Sequence, residues 1–230
     1  MFANIDWDVI LRSLPYLFFD GMRFTIMLTL MATAGGIVIG TLLALMRLSG
    51  RAPLAYPAGF YVDLIRSMPL VLVIFWFYFL VPYIGQWITG AERPIQVGAF
   101  ISALVTFTLF EAAYFCEIMR AGIQSISRGQ VQAAQALGMT YRQQMVEVVL
   151  PQAFRNMVPV LLTQTIILFQ DTSLVYVISV TDFLGAASKI AQRDGRLVEM
   201  YLFAAVVYFV ISLAASFWVR RLQKRIAIIR

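Results

Sequence analysis

The 230-residue chain lacks histidine altogether, has a single cysteine, Cys116, and is poor in charge, with 13% charged residues. One thiol excludes an internal disulfide, and a structural zinc site without histidine would need more cysteines than this chain has. Soluble domains carry about a quarter charged residues, so a chain with 61% hydrophobic residues is typical of a membrane protein. The net charge of +6 does not indicate nucleic-acid binding, since proteins of that class keep ordinary hydrophobicity.

The amino-terminal residues do not resemble a cleavable signal peptide. Asp6 and Asp8 stand where such a peptide carries Lys or Arg. Aromatic residues such as Trp7 and Phe19 are typical of the headgroup region of a bilayer. We therefore predict an interfacial segment at 1–23 on the outer side, followed by an uncleaved first span.

Five segments are apolar enough to cross a bilayer, which takes roughly 20 residues. We predict an all-α integral membrane protein with one transmembrane domain over 1–230. With the amino terminus outside and the carboxyl terminus inside, twelve of the 18 Lys and Arg residues lie on the inner side, as the positive-inside rule requires. The predicted spans are 24–46, 58–81, 94–117, 156–180 and 199–219.

A polar stretch at 129–151 interrupts this hydrophobic sequence on the predicted inner side. Ala133, Ala134 and Leu137 give its first part a narrow apolar stripe at helical spacing, and Gly138 suits a left-handed helix end. Thr140 followed three residues later by Gln143 is a capping-box pattern that begins a second helix.

We predict that this second helix ends at Leu150-Pro151, because proline disfavours helical geometry in the residue before it. The stretch is then a cytoplasmic helix-turn-helix. An amphipathic loop resting on the inner bilayer surface is an alternative that the residues alone leave open.

The spacing within this stretch resembles the "EAA" signature of the membrane subunits of ATP-binding cassette (ABC) importers. In that signature, Glu precedes two alanines, a glycine follows, and an aliphatic residue stands two positions before Leu-Pro. The chain keeps every spacing but has Gln132 in place of Glu and Val148 in place of Ile. The resemblance implies that the stretch couples the chain to an ATPase through Gln132, Ala133, Ala134, Gly138, Leu150 and Pro151.

Further segments resemble the polar amino acid permeases of this superfamily, and within it the glutamate/aspartate uptake permeases. They include "RSMPL" at 66–70, "AYFCEIMRAGIQSISRGQ" at 113–130, "LPQAFRNMVP" at 150–159 and "QDTSLVYV" at 170–177. The implied function is the transmembrane pathway of a binding-protein-dependent importer for acidic amino acids. An importer subunit of the same type for glutamine, histidine or arginine is the alternative.

The resemblance also implies partners and a location. A second, non-identical permease subunit, a pair of ATP-binding subunits and an external amino-acid-binding protein would complete the importer, in contact with lipid, in the bacterial cytoplasmic (inner) membrane. The chain is expected to be a multi-pass subunit without catalytic or metal-binding residues. It has no G-x-x-x-x-G-K-[ST] sequence, so ATP and Mg²⁺ are expected in the partner ATPase.

Ionisable groups within predicted spans invite a functional hypothesis, since insertion of each costs about 2.5–3.5 kcal/mol. Glu111 and Asp171 are the two carboxylates of this kind, and either could face the substrate ammonium or make structural hydrogen bonds between helices. An acidic substrate also needs cations, and a rim arginine could supply one. The candidate residues of the substrate pathway are Glu111, Tyr114, Gln170, Asp171, Thr172 and Arg66.

The predicted outer loop at 181–197 could face the binding protein or form a short interfacial helix without a partner. Two other functions remain possible for the whole chain. A self-sufficient secondary transporter would normally show internal repeats and more spans. A structural or assembly membrane protein would use the polar stretch only to dock a partner.

Overall fold

The computed structural model describes residues 6–226, and every regular element in this part of the chain is a helix. Five helices are long and apolar enough to cross a membrane, which confirms the predicted all-α, five-span class. The helices are α1 (Trp7–Leu48), α2 (Ala52–Arg66), α3 (Leu70–Thr89), α4 (Ala99–Gln124), α5 (Arg128–Ala136), α6 (Tyr141–Ile178), α7 (Phe183–Asp194) and α8 (Leu197–Ile226), of which α1, α3, α4, α6 and α8 are the candidate spans.

The second span differs from its predicted bounds of 58–81. Helix α2 ends at Arg66 and a new helix begins at Leu70, so that the candidate span is Leu70–Thr89. Pro69 causes the break, because its ring disfavours helical geometry in the preceding residue. It precedes α3 in extended geometry, with φ −60° and ψ 131°.

The amino-terminal segment predicted at 1–23 is not separate from the first span. Helix α1 begins at Trp7 and continues to Leu48, while residues 1–5 lie outside the described part of the chain. Pro15 lies inside this helix, and a π-helical stretch, Tyr16–Met22, follows it directly.

The predicted helix end at Leu150-Pro151 does not occur, and α6 runs through both residues. Proline lacks an N–H, so the carbonyl four residues earlier loses its usual partner. A π-helical stretch, Gln144–Val149, precedes Pro151, and the Leu150 N–H donates to Met145 O, five residues earlier. This wider hydrogen-bond register accommodates the proline inside the helix.

The backbone packs as two compact units. The first comprises the described residues of Met1–Ala34 together with Met68–Thr108 and Ile166–Ala215. In its core, α7 packs on the start of α1, where a Cβ on Gly21 would lie 3.0 Å from the Ala186 Cβ. The Phe183 N–H also donates to Thr25 Oγ1 at 3.0 Å. Helix α7 is thereby anchored to α1 by both packing and a buried hydrogen bond.

The second unit comprises Gly35–Ser67, Leu109–Thr165 and the described residues of Ser216–Arg230. Here α1 and α4 make a close helix contact at two glycines. A Cβ on Gly36 would lie 3.1 Å from the Phe115 ring, and one on Gly40 would lie 2.9 Å from the Ala112 carbonyl oxygen. Such small residues let helix backbones approach closely, which is a common basis of association between transmembrane helices.

Candidate coupling surface and transport pathway

Helix α5 and the start of α6 form a helical hairpin at 128–149. Its turn has Gly138 in the left-handed region with φ 73°, as the sequence predicts. Thr140 accepts from the Gln143 N–H, and the Gln143 side chain accepts from the Thr140 N–H, which confirms the predicted capping box. The Gln144 side chain crosses the turn and donates to Met139 O at 2.6 Å. These local bonds give the hairpin a defined turn.

Two hydrogen bonds join the arms at the base of the hairpin. The Gln152 amide donates to the Gln130 side chain, and the Asn156 amide donates to Ser125 Oγ at 2.8 Å. These bonds tie the hairpin to α6 and to the residue that follows the end of α4.

The exposed surface of the hairpin differs from the alanine stripe that the sequence indicates. Ala134 is 3% exposed and packs inside the hairpin, whereas Gln132 and Ala133 are exposed. The hairpin's exposed large apolar side chains are Leu137, at 82%, Tyr141, at 76%, and Val146, at 56%. The sequence places Leu137 on the apolar stripe but gives no role to Tyr141; the two residues stand on either side of the Gly138 turn.

Glu111 is almost fully buried at 1% exposed, in the second unit. The Gln164 amide of α6 donates to its Oε1 at 3.3 Å. The carboxylate thus participates in a hydrogen bond between α4 and α6, and Gly36 packs against its Cβ. This bond gives Oε1 a partner between two helices, at one of the two glycine contacts with α1.

Arg66 and Tyr114 are brought together in the same unit. The Arg66 guanidinium lies over the Tyr114 ring, with 5.3 Å from Cζ to the ring centroid, in a cation–π contact. Asp63 and Arg66 stand three residues apart, as do Glu117 and Arg120, and this spacing in the sequence predicts a same-face ion pair in each case. For Arg66, the acidic partner within residues 6–226 is instead Glu117, at 3.8 Å.

The remaining pathway candidates are consecutive residues of the first unit. Gln170 is exposed, Asp171 is partly buried, and Thr172 is fully buried with its hydroxyl donating to Phe169 O at 2.8 Å. At this point α6 changes from α-helical to 3₁₀ geometry, over Thr172–Ile178. A 3₁₀ stretch inside a long helix often marks a hinge.

An arginine cluster surrounds Glu117 in the second unit. The Glu117 carboxylate forms ion pairs with Arg47 of α1, with Arg66 of α2 and, at 2.7 Å, with Arg120 of its own helix. The Glu117–Arg120 pair follows from the sequence spacing of three, whereas Arg47 lies 70 residues away along the chain and leaves no local signal. Glu117 therefore joins three helices.

The segment at 181–197 forms α7, a helix that buries one face against the first unit. Asp182 caps it, accepting from the Leu184 and Gly185 N–H groups. Burial raises the pKa of the Asp182 carboxyl to about 6, although these backbone donors act in the opposite direction. Arg193, with Arg12, lowers the pKa of Asp194 to about 2.

The chain is similar to known proteins over most of its length. Residues 36–228 match the family described as "Binding-protein-dependent transport system inner membrane component". The glutamate/aspartate import permease protein GltK of Escherichia coli O157:H7 is 57% identical over 97% of this chain and 99% of its own. The glutamine transport system permease protein GlnP of Escherichia coli is 33% identical over 98% of this chain and 100% of its own.

A solved structure of an amino acid ABC transporter with histidines superposes with a TM-score of 0.87 at 31% identity, covering 97% of this chain and 100% of that one. The MetNI methionine ABC transporter, at 20% identity and a TM-score of 0.70, shares the fold.

These family members are transport components of ABC importers, which work with an ATPase and a substrate-binding protein, and they are not enzymes. With the family match extending over most of the chain, the protein belongs to the binding-protein-dependent transport system inner membrane components as a multi-pass permease subunit of an ABC importer.

Proposed function

We propose that the chain forms one half of the pathway of an importer for glutamate and aspartate in the bacterial inner membrane. The observation that carries this proposal is the 57% identity, over nearly the whole of both chains, with the glutamate/aspartate permease of Escherichia coli. The relative named for glutamine is only 33% identical. The partners are a second, non-identical permease, a pair of ATPase subunits that bind ATP and Mg²⁺, and an external binding protein.

The hairpin at 128–149 is the part that contacts the ATPase, with the amino terminus of the chain outside. Its exposed Leu137 and Tyr141 supply apolar contact area at the turn. Tyrosine is also one of the residue types that most often dominate the binding energy of an interface. Ala134 and Gly138 shape the hairpin, and the exposed Gln132 and Ala133 contribute its contacting face. Because Pro151 does not end α6, movement of the hairpin is transmitted directly to a transmembrane helix.

The pathway candidates have two different environments. Glu111 is buried beside Gln164, and Asp171 is partly buried at the change to 3₁₀ geometry. Each carboxylate can accept from a substrate ammonium, while Arg66 can donate to a substrate carboxylate. Tyr114 orients Arg66. In the first unit, the exposed Gln170 adds a polar group beside Asp171, and Thr172, whose hydroxyl donates to Phe169 O, holds the turn in place.

The test is uptake into proteoliposomes that contain the purified complex, with the binding protein outside and ATP inside. Glutamate and aspartate are expected to stimulate ATP hydrolysis and to be taken up, with glutamine, histidine and arginine competing poorly. Uptake of one of these competitors in preference to glutamate contradicts the proposed substrate. Uptake by this subunit alone, without ATP, contradicts the proposed mechanism.

The coupling surface has its own test. Leu137→Ser is expected to leave membrane insertion and assembly with the second permease intact, but to weaken ATPase association. Arg142→Gln, a polar change on the same hairpin, is the matched control. Equal ATPase recovery and equal substrate-stimulated hydrolysis in both variants would remove Leu137 from the coupling surface.

A further inference from the structure

The last turns of α8 carry a group of exposed cations. The helix ends at Ile226, and shortly before that end stand four exposed basic residues, called here the α8 basic cluster: Arg220, Arg221, Lys224 and Arg225. No Asp or Glu follows Glu199 in the sequence. Within residues 6–226, none of the four cations forms an ion pair. The cluster therefore holds four positive charges that no carboxylate in the described part of the chain neutralises.

The four cations lie on one face of the helix. At about 3.6 residues per turn, their positions span roughly 140° of the helix circumference. Phe217 lies inside this arc and Trp218 at its edge, one turn earlier, and both rings are exposed. Val219, which is 5% exposed, lies on the opposite face. Helix α8 thus buries one face here and presents the aromatic residues and the cations on the other.

The aromatic residues place the start of the cluster at headgroup level. Phe217 is 56% exposed and Trp218 is 61% exposed, and aromatic rings at the end of a transmembrane helix are typical of the membrane–water interface. The Arg220 guanidinium lies over the Phe217 ring, with 5.1 Å from Cζ to the ring centroid. This cation–π contact holds the guanidinium, with its five N–H donors, at the depth where lipid phosphates lie.

The helix dipole accounts for only part of the cluster. Lys224 and Arg225 stand in the last turn, where the negative end of the dipole stabilises cations. Arg220 and Arg221 stand one turn earlier, and the effect of the dipole falls off within a turn. Each of them also has a like charge four residues later, and such pairs destabilise a helix. An anion bound between the two rows of cations relieves this repulsion.

We infer that the α8 basic cluster binds the phosphate groups of anionic phospholipid. Groups of about four to eight Lys and Arg directly after a transmembrane helix typically bind anionic headgroups. Three of the four cations are arginines, whose planar guanidinium can bind one phosphate in two places. In the orientation proposed above, the site lies on the inner side of the membrane. Bound phosphates fix the depth of the end of α8 in the bilayer.

The experiment measures which lipid touches the end of α8. The complete complex is placed in phosphatidylcholine nanodiscs that contain an increasing fraction of phosphatidylglycerol with a photoreactive headgroup. After illumination, peptide mass spectrometry measures labelling within 216–226. Phosphatidylglycerol is expected to reach half-maximal labelling at a fraction roughly tenfold below that of a phosphatidylcholine analogue with the same photoreactive group. Each cation near a charged membrane surface contributes roughly fivefold to binding, so Arg220→Gln/Arg221→Gln is expected to raise this fraction more than tenfold.

Two further variants separate charge at this site from other effects. Arg220→Lys/Arg221→Lys keeps both charges and is expected to retain most of the preference for phosphatidylglycerol. Lys189→Gln/Arg193→Gln removes two exposed cations from α7 and is expected to leave labelling at the end of α8 unchanged. Thermal unfolding of every variant shows that the complex remains assembled.

Equal labelling by the two lipid analogues would overturn the inference, as would equal phosphatidylglycerol labelling in Arg220→Gln/Arg221→Gln and the parent chain. Loss of labelling in millimolar inorganic phosphate would assign the cluster to a soluble anion instead of a lipid. Unchanged labelling together with loss of a partner subunit from Arg220→Gln/Arg221→Gln would assign it to an acidic protein surface. No amino acid, ATP or binding protein is added, so failure here is separate from failure of glutamate uptake, which tests the proposed function.

Discussion

Substitution of Gly40 by alanine tests the contact between α1 and α4. The added Cβ would lie 2.9 Å from the Ala112 carbonyl oxygen and 2.9 Å from the Phe115 Cβ. Carbon atoms pack best at about 3.5–4.0 Å, so the two helices must separate by roughly half an ångström or more. Overpacking of this kind costs about 1–3 kcal/mol.

Gly59 in α2 is the matched control. A Cβ there would meet only the Arg47 Nε, at an ordinary distance of 3.9 Å. Both substitutions replace a helical glycine, so both gain about 1 kcal/mol of helix propensity. The difference in stability between the two variants therefore isolates the packing cost at Gly40.

The assay is thermal unfolding of the purified complex in detergent, followed by tryptophan fluorescence. Gly40→Ala is expected to melt below Gly59→Ala, by about 2–4 °C for each kcal/mol in a chain of this size. A melting temperature of Gly40→Ala equal to or above that of Gly59→Ala would refute the close helix contact.

Three further predictions concern the charged and capping groups. Burial raises the pKa of Asp182 to about 6 from its usual value near 4, so the folded state binds this proton more tightly than the unfolded state does. Protonation of Asp182 therefore stabilises the fold at low pH, and this stabilisation is lost as the pH rises through 6. The melting temperature is therefore expected to fall between about pH 4 and pH 6, and to fall less in Asp182→Asn; an equal fall in both would contradict the assignment. Glu117→Gln leaves three guanidiniums facing one another and is expected to cost about 1–3 kcal/mol in thermal unfolding, part of which Arg47→Gln should restore. Thr140→Val removes the cap of α6 and is expected to speed amide hydrogen exchange at 141–144 by about fivefold, the equivalent of about 1 kcal/mol; unchanged exchange would argue against the capping box.

The parts of the fold that follow from local chemistry could be predicted from the sequence. The lengths of the apolar segments predict five spans. Gly138, in the left-handed region, follows the end of α5, and the Thr140–Gln143 capping box begins α6. The effect of proline on helix ends is harder to predict from the sequence. Pro69 separates two helices, whereas Pro151 is accommodated by a π-helical register that sequence spacing does not reveal.

The contacts of the candidate site are less accessible to sequence reasoning because they join distant residues. The spacing predicts Glu117 with Arg120 but not Arg47, and Arg66 contacts Glu117 and Tyr114 instead of Asp63. On the hairpin, helical periodicity identifies the apolar stripe, but it does not show which residues of the stripe are buried by the rest of the hairpin. Ala134 is covered by the hairpin itself, which leaves Leu137 exposed.

The central claim is that the hairpin at 128–149 is held by the ATPase. Leu137→Cys in a Cys116→Ala background places a thiol at its exposed turn, and Trp87→Cys, at an 84% exposed position of α3, is the control. In membranes that contain the whole complex, a short thiol-to-amine crosslinker is expected to join position 137, and not position 87, to the ATPase, with a yield that changes when ATP is added. A crosslink from position 87 alone, or none from 137 at any nucleotide state, would contradict the account.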